Sequence, residues 1–265
     1  MSKTIAIVNR RGGVGKTATT HALGAGLAHR GYKVLFIDLD SQCNLTFDVG
    51  ANKAPLTSLE VLTGTATAQE AIQHTEGGDI IPASPSLATA DTVLDGTGKE
   101  YRLKEALDQI AGDYDYIVID TPPALGVLTI NALTACERCI IPAQAEIHSL
   151  QGIGLLHEAI EAVKKYTNPA LEIEGILITR YNGRAILSKD MRENLEGVAG
   201  QLKTRVFDTP IRECIVVKEA QATQTDIYTY SPKSNATQDY NAFIDAILRG
   251  EHEEGNETAN NNSGI

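Results

Sequence analysis

An alternation of short apolar runs with helical stretches predicts an α/β fold: a doubly wound, mainly parallel sheet with helices on both faces. Two observations carry this. An apolar run at 4–9 (TIAIVN) ends in a Gly-rich turn, small and apolar residues recur at helical spacing from Lys16 to Arg30, Gly31 provides a stop, and a second run at 34–38 (VLFID) follows. Strand, helix and strand in such close succession imply a crossover connection and therefore parallel strands. The second observation is composition. The apolar residues are Ala, Val, Ile and Leu rather than aromatics, with no Trp and four Phe, as suits strands covered by helices on both sides.

Further strand-length runs occur at 79–82, 116–120, 139–142 and 175–179, separated by helical patterns such as 102–111 and 152–165. At 265 residues, 42% hydrophobic and 22% charged, the chain can bury one substantial core, so a single domain over 1–249 is expected. From Gly250 the sequence reads GEHEEGNETANNNSGI, with almost no apolar content and four carboxylates, and 250–265 is expected to be an acidic disordered tail. No internal repeat or low-complexity linker marks a second domain.

Composition also excludes classes of function. No stretch approaches the roughly 20 apolar residues that span a bilayer, the start lacks a signal-peptide pattern, and the tail lacks an amphipathic basic helix, so a cytoplasmic protein without a membrane role is expected. Cys43, Cys136, Cys139 and Cys214 are too few and too irregular for a disulfide framework, which suits a reducing compartment. A formal charge of −11 argues against coating nucleic acid with the whole surface. It leaves room for a local basic face: residues 180–218 carry eight Lys/Arg against five Asp/Glu.

The turn after the first strand reads Arg10-Arg11-Gly12-Gly13-Val14-Gly15-Lys16-Thr17. Glycines let a backbone wrap closely around phosphates, Lys16 can reach β/γ oxygens, Thr17 can ligate Mg²⁺, and the following helix adds its N-terminal dipole. The ordinary G-x-x-x-x-G-K-[ST] pattern requires Gly where Arg10 stands, so this is a variant loop.

That variant resembles the deviant Walker A motif K-G-G-x-G-K-[ST] of the ParA/Soj/MinD family of dimerising ATPases. The resemblance implies a P-loop NTPase fold, ATP and Mg²⁺ as cofactors, and nucleotide contacts from Arg11, Gly12, Gly13, Val14, Gly15, Lys16, Thr17 and Ala18. It implies catalytic roles for Lys16 and for Arg11, which stands where the family's first lysine reaches across a dimer to the partner's phosphates. Arginine keeps the charge and adds a planar fork, but it is bulkier and aims its donors differently. Ala18 is a second departure, at a position where many members carry a hydroxyl.

Residues 34–42 (VLFIDLDSQ) resemble the family's D-x-D-P-Q motif with Ser41 in place of proline. The match puts Asp38 near the metal and makes Asp40 the residue that positions the attacking water. Residues 115–126 (DYIVIDTPPALG) resemble its Walker B region, which implies that Asp120 holds a metal-bound water. Each aspartate alone could cap a helix, but all three fall at strand ends beside the phosphate loop, where ligands of open parallel sheets gather.

The resemblance continues through IIPAQAE (140–146), GILITRYNGR (175–184), VFDTPIR (206–212) and YSPKSNATQDY (230–240), covering nearly everything to about residue 249. It implies base contacts from Arg180, Ile211, Arg212 and Glu213, and nonspecific double-stranded DNA binding by an ATP-closed homodimer, with Arg184, Lys189, Arg192, Lys203, Arg205 and Lys218 as candidates. Val216 and Gln221 depart from the family's basic-E-A-P pattern in this region. The early phosphate loop implies the short, chromosomal type without a helix-turn-helix domain, associated with the nucleoid and partnered by a ParB-like centromere-binding protein.

Other readings stay open. One is a positioning ATPase of the same family that moves a protein cargo; another is a nucleotide-held adaptor that has lost hydrolysis through Arg11, against which Asp40 argues. An iron-sulfur protein of the superfamily would use Cys136-x-x-Cys139, although Cys139 opens an apolar run where cysteine behaves as a small hydrophobe. MinD-like membrane positioning is the least favoured, because the tail is acidic.

Overall fold

A computed structural model describes residues 2–51, 55–183 and 186–262; for 147–151, 186–189 and 252–262 only the backbone is described. The first βαβ unit forms where the sequence places it, as β1 (Lys3–Ile7), α1 (Lys16–Ala28) and β2 (Val34–Asp38). Short helices α2 (Asn44–Asp48), α3 (Ser58–Thr63) and α4 (Ala68–Ala71) follow, then β3 (Gln73–Thr75) and β4 (Gly78–Ile81). Next come α5 (Ala90–Val93), α6 (Arg102–Asp108), β5 (Tyr116–Asp120), α7 (Val127–Ala135), β6 (Arg138–Gln144), α8 (Ile147–Tyr166) and β7 (Glu172–Thr179). The remainder is helical: α9 (Ile186–Gln201), α10 (Ile215–Ala222), α11 (Ile227–Tyr230) and α12 (Asn235–Asn262).

The strands form one sheet in the order β3-β4-β2-β5-β1-β6-β7, parallel throughout except for β3 against β4. Strand β3 escapes a hydrophobic reading, since Gln-His-Thr offers no apolar run and the strand survives as a three-residue edge. Side chains alternate between two cores. Ala6, Leu35, Ile37, Ile117 and Ile119 face a cluster with α6 to α8, while Ile5, Ile7, Phe36 and Val118 face α1 and α12. Helix α1 lies tight on the second face: a Cβ at Gly24 would come within 2.1 Å of the Phe36 ring.

The register matters for the site. Asp38 pairs with Asp120 across β2 and β5, and Ile7 pairs with Asp120 across β1 and β5, so three strands end level with the phosphate loop. The order turns outward on either side of this point, the crevice where open α/β sheets bind ligands.

The backbone of α12 continues through Gly250 to Asn262. Glu251, the second residue of that segment, pairs with Lys3 at 2.7 Å and accepts a hydrogen bond from the Tyr116 hydroxyl at 2.7 Å, which extends the helix along the body. No helix among the described residues is long and apolar enough to cross a membrane.

Candidate nucleotide site

The loop's shape follows from its glycines. Gly13 and Gly15 have φ of 75° and 87°, in the left-handed region that a Cβ disfavours, and a Cβ built on Gly12 or Gly13 would meet nothing within 4 Å. The turn therefore bounds open space at the N-terminus of α1. Neighbours fasten it from outside. Asn9 donates to the Pro142 carbonyl at 2.7 Å and accepts from the Arg11 amide at 2.9 Å; Gln144 donates to the Gly13 carbonyl at 3.0 Å, and Thr179 to the Val14 carbonyl at 2.7 Å. The resemblance assigned none of these four. Asn9 and Gln144 lie inside runs already singled out, but their contacts are long-range and leave no spacing signal.

Inside the turn, Lys16 is buried and its ammonium donates to the Arg11 carbonyl at 3.2 Å. Burial pushes its pKa down, partly opposed by the charges of Asp120 and Asp40. A desolvated ammonium at the N-terminus of α1 suits an anion. Thr17 donates to Asp120 at 2.7 Å, and Thr20 reaches the other oxygen of Asp120 at 3.4 Å. Asp38 accepts from the Asp40 amide at 2.9 Å and from the Thr46 amide and hydroxyl at 2.9 and 2.8 Å. Asp40 in turn accepts from the Gln42 amide at 3.0 Å.

Burial pushes the Asp38 carboxyl up to about 6, and it raises Asp120 well above the usual carboxylate range, with the Asp38 charge second. Neighbouring buried carboxylates that resist ionisation, next to a hydroxyl, fit a divalent cation that would relieve both penalties. Among the described residues no group of three or more His, Cys, Asp or Glu is arranged to hold a metal by itself. Mg²⁺ takes most of its ligands from phosphates and water, so Thr17 would hold it directly, with Asp38 and Asp120 behind.

Arg11 lies at the rim. One guanidinium nitrogen pairs with Glu146 at 2.6 Å and the other, Nη1, is buried without a partner. Ala18 follows Thr17 in the first turn of α1 and adds no side-chain hydrogen bond. The segments expected to hold the base do meet: the Tyr181 amide donates to the Ile211 carbonyl at 2.9 Å, and Arg180, in the left-handed region at φ 50°, pairs with Glu213 at 2.9 Å. Arg212 instead spends its guanidinium on Asp239 of α12, at 2.6 Å.

Of the basic candidates, Arg184 and the side chain of Lys189 lie outside the described residues. Arg192 pairs with Glu196 at 2.9 Å, and Arg205 pairs with Glu174 and covers the Phe207 ring. Lys203 occupies a turn at φ 53°, and Lys218 is exposed on α10. Cys136 and Cys139 are buried in the hydrophobic core, and burial raises both thiols.

Comparison with known proteins agrees with this geometry. The family model described as an AAA domain matches residues 2–173. Over 245 residues the chain is 40% identical to the sporulation initiation inhibitor protein Soj of Bacillus subtilis, covering 91% of this chain and 96% of Soj. It is 36% identical to the chromosome partitioning protein ParA of Myxococcus xanthus, covering 94% and 89%. A Mycobacterium smegmatis structure described as cobyrinic acid a,c-diamide synthase with bound ADP and magnesium superposes with a TM-score of 0.82 at 37% identity, over 94% of this chain and 95% of that one. The chain is thus a member of the ParA/Soj family of P-loop partition ATPases, enzymes whose cofactors are ATP and Mg²⁺.

Proposed function

We propose that this ATPase closes into a sandwich dimer when ATP binds, that the dimer holds nonspecific double-stranded DNA, and that a ParB-like partner stimulates the hydrolysis that releases it. The observation that carries this reading is the contrast between two cations of one loop. Lys16 is buried inside the turn, while Arg11 sits at its rim, held by a partly exposed Glu146 and with a second nitrogen unsatisfied. The inner cation serves its own nucleotide. The outer one is placed to turn away from its own loop toward phosphates presented by a second copy, as an arginine finger supplied in trans does.

The remaining roles follow from the residues in hand. Bound with ATP, Mg²⁺ would supply charge neutralisation on the phosphates. Thr17 holds that side of the site, Asp38 and Asp120 set its charge, and Asp40, fixed by the Gln42 amide, orients the water for in-line attack. Basic residues of the 180–218 window, Lys218 among them, contact DNA phosphates without reading sequence. The protein works in the cytoplasm, on the nucleoid.

Titrating labelled nonspecific duplex with the protein in Mg-ATP and in Mg-ADP tests the reading. Binding in ATP alone, weakening steeply with salt, is expected. An ATP-dependent dimer indifferent to DNA would overturn the DNA role and point to a protein cargo.

A further inference from the structure

Helix α10 carries Lys218 and is tied by polar contacts to α2, which begins a few residues beyond Asp38 and Asp40. Two glutamines make that connection. Gln221 donates to the Asp48 carboxylate at 2.7 Å, and Gln224, in the turn after α10, donates to the Phe47 carbonyl at 2.9 Å. Asp48 is buried, so its hydrogen bond is costly to lose. Two residues earlier on α2, Thr46 gives both its amide and its hydroxyl to Asp38. A helix of five residues is too short to absorb a shift between these points, so displacement at Thr46 is passed to Asp48.

A cavity of about 10 Å³ lies between α1 and α10, lined by His21, Ala22, Val217 and Gln221 among others. His21 is buried there with Nε2 unpartnered, and burial holds it neutral, its pKa pushed down to about 4. Ala220 and Val217 seat α10 on the core over this face, and the bond from Gln221 to Asp48 ties its last turn to α2.

We propose that Gln221 is a positioning residue that couples the phosphate site to the face bearing Lys218: its bond to Asp48 makes α10 follow α2 when Asp38 changes partners on nucleotide binding. The chain carries glutamine where the resembling family pattern has proline, and proline has no side-chain donor to offer. The inference rests on the DNA-binding reading only for the purpose of the motion, not for the motion itself.

Hydrogen–deuterium exchange of the full chain, with a non-hydrolysable Mg-ATP analogue and with Mg-ADP, tests it. In the wild type, amides of 215–222 should differ between the two states by about tenfold, the scale of one hydrogen bond to a charged group. Gln221→Ala and Gln221→Glu should abolish that difference while nucleotide affinity stays within about twofold, since neither touches the phosphate loop. Asp48→Asn keeps an acceptor for the Gln221 amide and should preserve the difference. Three results would overturn the proposal: no difference in the wild type, an undiminished difference in Gln221→Ala, or loss of nucleotide binding along with the difference. DNA titration of the same proteins separates the two readings. A wild type that shows the exchange difference but binds no DNA keeps the coupling and removes its DNA purpose; Gln221→Ala that loses DNA binding with the difference intact overturns the coupling.

Discussion

Replacing Glu146 with glutamine isolates what holds Arg11 at the rim. The two side chains are 33% and 48% exposed, and an ion pair so accessible to water contributes at most about 1 kcal/mol. Against it stands the buried Nη1, whose missing partner costs roughly 1–3 kcal/mol. The resting position of Arg11 is therefore worth little, and removing the Glu146 charge should shift the population of released arginine by no more than about fivefold. Glu146→Gln should then raise kcat/KM for ATP by less than that. Arg11→Lys should stay within about fivefold of wild type, because the charge is retained and no second nitrogen is stranded. Arg11→Ala should lose at least tenfold, the loss of a charge-assisted phosphate contact of about 1.5–3 kcal/mol. Steady-state phosphate release, with and without nonspecific DNA, measures all three. A fiftyfold gain in Glu146→Gln would refute the reasoning, since Glu146 would then be a lock rather than a loose tether.

Other consequences are open to measurement. Asp38 and Asp48 have folded pKa values near 6, above the ordinary 3.8, so their stabilising contribution is full below about pH 4 and is lost as pH rises through 6. The nucleotide-free protein should therefore melt at lower temperature at pH 7 than at pH 5, and Asp48→Asn should flatten that profile by up to roughly 3 kcal/mol. Thr17→Ala removes the hydroxyl 2.7 Å from Asp120 and should raise the Mg²⁺ concentration needed for half-maximal hydrolysis by about tenfold or more. Gly24→Ala drives a methyl into Phe36 and should destabilise by about 1–2 kcal/mol in thermal unfolding, whereas Gly154→Ala, with nothing within 4 Å, should be neutral or stabilising. Lys218→Ala should lower the salt slope of DNA binding by about one without changing hydrolysis in the absence of DNA.

Where a strand is buried on both faces, the sequence carried its position. Residues 34–38 and 116–120 form β2 and β5 over the expected bounds, because apolar runs flanked by turn residues leave few alternatives. The phosphate loop was legible for the same kind of reason: its glycines, lysine and threonine are local, and the helix after them fixes their direction. What escaped is long-range and polar. Nothing near Arg212 announces Asp239, nor does Asp48 announce Gln221, since such pairs depend on tertiary approach across much of the chain. Strand β3 escaped because it is held by hydrogen bonds to β4 rather than by burial.

The most direct test of the central account is ATP turnover by the wild-type chain beside Lys16→Ala and Asp40→Ala, measured with Mg²⁺, nonspecific DNA and a ParB-like partner present and absent. The account predicts slow turnover by the wild type that DNA and partner together accelerate, and none above background in either variant. Turnover that survives Lys16→Ala and Asp40→Ala would contradict it, because hydrolysis would then arise outside the site built by the loop and the β2 carboxylates.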